Sequence, residues 1–302
     1  MPSETDIDPS TLTSWVELFD EFLDAVARRI DGGWTPALWS QAETEIRETA
    51  KLPRADGSGD RWGRDPANRV YAVAEVLCHA IIDHVRSLRT LMTAAGPPAP
   101  TAVDALARGA LEAASTIWWL TDQSIAGRAR VARLYAICRA SAMEYERAFE
   151  AMQGSPIGHY GKSIADLDAH YCGTLGFQTK LTNKGAFIDS EGQKLPGYTN
   201  RVKAYLKAMG HPSTTAVYNF LSGSAHAQLW RLEYGYTDLI GPDGTVRSYQ
   251  YYSQSILRVG MGVAAESLAH AVRLCFEILG RNVDLSDVWR YAMPINRVFS
   301  AQ

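Results

Sequence analysis

The sequence predicts an all-α fold: a helical bundle of long antiparallel helices, interrupted by one long irregular excursion and by one segment that reads as a small β-hairpin. Three observations predict it. Apolar residues recur at three- and four-residue spacing through most of the chain. Short turn-rich connections join the periodic stretches, which favours antiparallel neighbours. Two-residue alternation is confined to Tyr234 to Tyr252, around the turn sequence GPDG.

The elements follow in order. Leu12, Trp15, Val16, Phe19, Phe22, Leu23, Val26 and Ile30 mark a first amphipathic helix, closed by Gly32 and Gly33. A shorter helix is expected around Pro36 to Thr49. Residues 51–69, KLPRADGSGDRWGRDPANR, read as an exposed loop. Val70, Val73, Leu77, Ile81, His84, Leu88 and Leu91 then line one face of a helix that ends at GPPAP. Residues 101–122 form the next, with Thr101 as N-cap. The turn from Asp122 to Gly127 leads to a third that runs to about Met152, and these three are expected to stack up-down-up. Gly154 to Gly197 is the excursion, with one short helix at Ser163 to His170. Helices return at Thr199 to Met209, Ser213 to Leu232, Gln254 to Leu279 and Leu285 to Tyr291. Residues 1–66 form an N-terminal helical segment and loop and 67–302 the main bundle, together one compact domain.

A chain of 302 residues, 46% hydrophobic and 21% charged, can bury a substantial core. Its net charge of −3 and pI near 6.2 argue against a protein devoted to coating DNA or an anionic membrane. The charge is uneven: the first 66 residues are acidic, whereas Arg128, Arg130, Arg133, Arg139, Arg201, Lys203 and Lys207 make a basic stretch, read as a solvated helix face. Cys78, Cys138, Cys172 and Cys275 are widely spaced and form no CxxC pair, which fits a reducing compartment. The N-terminus has no basic and apolar leader pattern, and no run of eighteen uncharged apolar residues would span a bilayer. A cytoplasmic protein with no membrane partner is expected.

The chemistry-bearing residues concentrate in two helices. In YNFLSGSAHAQLWRLE, Ser222 and His226 are four apart and Glu233 follows seven later, with Asn219 three before Ser222, so all fall along one side of a helix. In ALARGALEAASTIWWLTD, Arg108, Glu112, Ser115, Trp119 and Asp122 trace a polar stripe beside the small residues Ala107, Ala110 and Ala114. An exposed Arg108–Glu112 pair would contribute only about 0.2–0.5 kcal/mol. Buried, it needs partners from other helices, and Ser222, His226 and His84 are the candidates. Such a set is either a satisfied polar layer or a ligand-facing site. Trp119, Tyr218 and Trp230, with His84, are the candidate ligand-binding walls.

Metal and cofactor chemistry is not expected. Glu75–His79 and Glu266–His270 have chelating spacing, but neither fits the Glu-x-x-His di-iron pattern, and His-Glu-x-x-His is absent. No P-loop, GxGxxG or GxSxG occurs.

The Arg108-x-x-x-Glu112 helix together with Tyr218-x-x-Leu221-Ser222-x-x-x-His226 resembles uncharacterised bacterial helical families placed near the HEPN-like superfamily. That resemblance implies a helical homodimer of the kind found in toxin–antitoxin and phage-defence systems. The active members cut RNA with an Arg-x(4 to 6)-His motif, and no arginine stands at that distance before His226, His84 or His270. Two functions are therefore expected as alternatives. One is a HEPN-like protein acting by binding, in defence or regulation, on RNA or a partner protein, with Arg108, Glu112, Ser222 and His226 converging and the basic helix from Gly127 facing outward beside them. The other is an enzyme or binder of a small apolar molecule held between helices, with His226 as acid–base group.

Overall fold

The computed structural model describes residues 9–31, 33–93, 100–151, 164–182, 185–188, 193–211, 214–225, 236–240, 246–250, 254–281 and 284–296. The expected helical bundle is what the chain forms. The helices are α1 (Pro9–Ile30), α2 (Gln41–Thr49), α3 (Asp65–Thr93), α4 (Pro100–Leu120), α5 (Gly127–Ala151), α6 (Ile164–Asp168), α7 (Tyr198–Ala208), α8 (Thr214–Ala225), α9 (Gln254–Ile278) and α10 (Ser286–Asn296). The alternating segment pairs as an antiparallel hairpin of β4 (Tyr236–Ile240) and β5 (Val246–Gln250), with Tyr236 opposite Gln250.

The excursion is more ordered than its glycines imply. Helix α6 continues as a π-helix over Ala169–Thr174, and the antiparallel strands β1 (Thr179–Thr182), β2 (Gly185–Ile188) and β3 (Gln193–Lys194) follow in that order. The sheet lies against α5. Tyr171 of the π-helix stacks on Tyr135 of α5, centroids 4.6 Å apart, and Arg139 holds both oxygens of Asp168 at 2.9 and 3.2 Å.

Helix α4 is the centre of the molecule. It packs most extensively on α9 and α3, and next on α8 and α7. Its small residues make this possible, since Ala107, Ala110 and Ala114 are fully buried. Glycines bring the axes closer still: a Cβ on Gly260 of α9 would lie 2.6 Å from Val103, and one on Gly109 would lie 2.6 Å from His84 of α3. The expected up-down-up stack of α3, α4 and α5 is therefore only half formed. Helix α5 makes few contacts with α4 and packs instead on α3, α2 and the excursion. Two apolar clusters result, one around α1, α3, α4 and α9 and one around α2, α5 and the π-helix, and Leu77, Trp34 and Trp118 touch both.

Three local expectations are corrected. Helix α4 begins at Pro100, so Thr101 lies within the helix rather than capping it. Helix α2 begins only at Gln41, where the Ser40 hydroxyl accepts the Glu43 N–H at 3.0 Å. The stretch before it is a turn with Trp39 at φ 66°. Within the loop after α2, Trp62 N donates to Leu52 O at 2.8 Å and Ala55 N to Thr174 O at 2.8 Å. Trp62 itself is buried against Phe177, with the Arg128 guanidinium over both rings.

The basic face of α5 is the largest correction. Arg130, Arg133 and Arg139 are 1%, 8% and 7% exposed, so the helix turns these three arginines inward. The reason lies at the end of α4, whose last carbonyls have no intrahelical donors. Arg130 donates to Leu120 O and, at 3.0 Å, to Asp122 O; Arg133 donates to Trp119 O and lies over the Trp119 ring. Cations at a helix C-terminus are electrostatically favoured. Arg130 is completed by Glu45 of α2, which it grips at 2.8 and 3.1 Å and which also accepts from Tyr71 at 2.8 Å.

Candidate ligand cavity between helices α4 and α5

Helices α4 and α5 are joined by a short turn yet diverge from it, and the wedge between them is a cavity of about 470 Å³. Leu77 of α3 is part of its lining. Ala113 and Thr116 line it from α4, Ala136, Ile137, Ala140 and Met143 from α5, and Leu195 and Pro196 close a flank. Glu144, Arg147 and Tyr198, all exposed, also line it. Its volume lies in the range of small-molecule sites and most of its wall is apolar.

Two polar groups enter this wall, one half-buried and one buried. The first is Glu112, on the stripe expected from the sequence. Its Oε1 accepts from Arg108 Nε at 2.8 Å and from the Tyr218 hydroxyl at 2.9 Å. Oε2 takes no hydrogen bond among the described residues. The Arg108 guanidinium also lies 5.6 Å from the Tyr218 ring centroid. Burial works against the charge on Arg108, and the hydrogen bond and charge of Glu112 together with Tyr218 outweigh it, holding its pKa above the ordinary value. Arg108 and Glu112 thus pair along α4, as their spacing implies, and the partner they take from another helix is Tyr218 of α8.

The second group is Arg201, in the first turn of α7. It is 4% exposed, its Nη1 reaches Pro196 O at 3.5 Å, and its guanidinium lies 4.7 Å from the Tyr198 ring centroid. Its Nε is buried with no partner, and among the described residues no carboxylate pairs with it. Burial pulls its pKa below the ordinary value, although Tyr198 and Glu112 oppose this. Sequence reasoning placed Arg201 in a basic run and missed its role. A signal was present: an arginine in a first helical turn, after a glycine that offers no capping side chain, sits at the positive end of the helix dipole, where cations are disfavoured.

The remaining candidates lie elsewhere. The Ser222 hydroxyl is buried and makes no hydrogen bond among the described residues. His226 and Trp230 fall outside the described residues, as does Glu233. His84 packs against Gly109 on the α3–α4 contact, where burial lowers its pKa and nearby Asp83 only partly offsets this. Trp119 is buried under Arg133 at the end of α4 and does not line the cavity. Of the chelating pairs, Glu266 and His270 meet at 3.5 Å, and His211 binds the same oxygen at 3.0 Å. These imidazoles converge on one carboxylate oxygen, and no metal-holding group of three such side chains occurs among the described residues.

Fold and site together define a helical-bundle protein with a ligand-sized cavity between two diverging helices. Comparison with family models, with curated proteins and with solved structures finds no match.

Proposed function

We propose that this protein acts by binding a small, largely apolar molecule in the wedge between α4 and α5. The observation that carries the reading is the cavity itself: about 470 Å³, apolar over most of its wall, and bordered by one buried guanidinium whose Nε has no partner. The space opens beside the exposed Glu144, Arg147 and Tyr198, and a ligand filling it would cover the apolar wall.

The alternative reading, a HEPN-like protein binding RNA or a partner protein, is less well supported. It needs an outward basic face on α5, and Arg130, Arg133 and Arg139 are committed to α4 carbonyls, Glu45 and Asp168. The acid–base role expected of His226 falls outside the described residues, and the function proposed is binding.

Native mass spectrometry of the protein purified from its own cells tests this reading. A small molecule present under native conditions and lost on denaturation is expected in the wild type, and is expected to be absent from Ala140→Phe, which fills the wedge from α5. An empty wild type, or co-purifying RNA in its place, would reject the reading.

A further inference from the structure

We infer that the ligand of this cavity carries a carboxylate and that Arg201 receives it; the inference rests on the binding function proposed above. Two features put positive charge on the wall that Glu112 and Glu144 also line. One is the Arg201 side chain, 4% exposed, with Nη1 directed to Pro196 O and Nε without a partner. The other is the N-terminus of the 11-residue helix α7, where Gly197 and Tyr198 line the cavity and Gly197 supplies no side-chain cap. The first N–H groups of a helix have no intrahelical acceptor and favour an anion.

The class of anion follows from the donors. A guanidinium is a planar donor whose paired N–H groups match the two oxygens of a carboxylate. A dianion such as a phosphate monoester would meet one buried cation only, with the Glu112 carboxylate on the same cavity wall. The body of the ligand is apolar, since Leu77, Ala113, Ile137, Ala140 and Met143 face the remaining space. Glu112 Oε2, which has no bond among the described residues, offers an acceptor for a hydroxyl or amino group on that body.

The test uses three probes with one aromatic body: 1-naphthaleneacetate, its neutral amide 1-naphthaleneacetamide, and 1-naphthyl phosphate, each titrated by calorimetry into the full chain. The wild type is expected to bind the carboxylate at least tenfold more tightly than either of the others. In Arg201→Gln that preference should vanish while affinity for the amide is unchanged; Arg201→Lys, which keeps the charge without the paired N–H groups, should retain only part of it. Equal affinities for acid and amide in the wild type, or a preference that survives Arg201→Gln, would overturn the carboxylate assignment and leave the cavity reading standing. A phosphate preference would replace the carboxylate with a dianion. No binding of any probe at millimolar concentration would remove both the assignment and the cavity reading beneath it. Amide binding by Arg201→Gln serves as the check that the variant is folded.

Discussion

Arg130 is 1% exposed and bonded to Glu45 and to the carbonyl oxygens of Leu120 and Asp122, while Glu45 in turn accepts from Tyr71 and Gln41. Every strong donor and acceptor in that cluster is used, which is how a buried ion pair avoids the cost of leaving water. Burial, the first cause, together with the Glu45 carboxylate holds the Tyr71 hydroxyl far above its usual pKa, so it remains a donor at any ordinary pH. Removing one member should be expensive. Arg130→Ala is expected to cost about 3–5 kcal/mol in urea unfolding, because Glu45 is left as a buried unpaired charge. The pair replacement Arg130→Met with Glu45→Met should cost less than the single change. Equal costs would mean that the cluster is solvated.

The His211–Glu266–His270 group makes a second prediction at this scale. The hydrogen bond that His211 donates to Glu266 raises the His211 pKa above its ordinary 6.5 against the effect of burial. Burial raises the Glu266 pKa, but the bonds from His211 and His270 outweigh it and bring the value from 4.5 down to about 2. The sign follows for each. A raised histidine stabilises the fold below pH 6.5 and loses that contribution as pH rises through the folded value. A depressed carboxylate stabilises it above pH 4.5 and loses that contribution as pH falls toward 2. The stability lost in His211→Gln should therefore be largest between about pH 4.5 and 6.5 and shrink on either side. Thermal melts of the two proteins across pH 3–9 measure it, and a difference independent of pH would contradict the assignment.

At the scale of elements, the close contact of α4 with α9 depends on Gly260, whose added Cβ would stand 2.6 Å from Val103. Alanine favours a helix over glycine by about 1 kcal/mol, whereas overpacking a core costs about 1–3 kcal/mol. Steric cost should win here, because Val103 is buried and its branched side chain has few rotamers. Gly260→Ala is expected to destabilise in denaturant titration, and Gly260→Ala with Val103→Ala should recover part of the loss relative to the sum of the single changes. Strict additivity would place the two residues out of contact. The α4–α5 pair shows the opposite design. Its arginine caps hold the two helices together at the turn, and beyond the turn the axes part and leave the wedge. Capping and cavity are two consequences of one splayed hairpin.

For the whole molecule, the N-terminal helices are not an appendage. Helix α1 packs on α3 and α10, with Arg29 pairing to Asp287 and Arg89 to Asp20, and α2 packs on α3 and α5. Phe19, Phe22 and Ile46 are fully buried. A fragment of residues 67–302 would lose these side chains and the Glu45 partner of Arg130. It is expected to lose the cooperative thermal transition of the full chain in circular dichroism; a retained sharp transition would make residues 1–66 a separable unit. Helix α9 offers a related lesson. The window Leu257–Ile278 is long and apolar enough to cross a membrane, yet 72% of it is buried inside the bundle, because it is the helix on which α4, α3 and α10 converge.

Periodicity and punctuation in the sequence determined the helices of this protein, their approximate ends, the hairpin at β4–β5 and the pairing of Arg108 with Glu112 along α4, since these depend on residues near one another in the chain or on one face of a helix; that Tyr218 joins the pair from α8 was decided by the tertiary structure. The π-helix and three short strands of the excursion are not legible in the sequence, because they are stabilised by contacts with α5, through Tyr135, Arg139 and Arg128, and carry little signal of their own. Only the tertiary structure decided which way the α5 arginines face: the carbonyls that receive them belong to another helix. Only it opened the wedge beside Glu112 and placed Arg201 in its wall. A cavity is a property of how helices diverge, and divergence is set by packing between distant segments, which local periodicity does not encode.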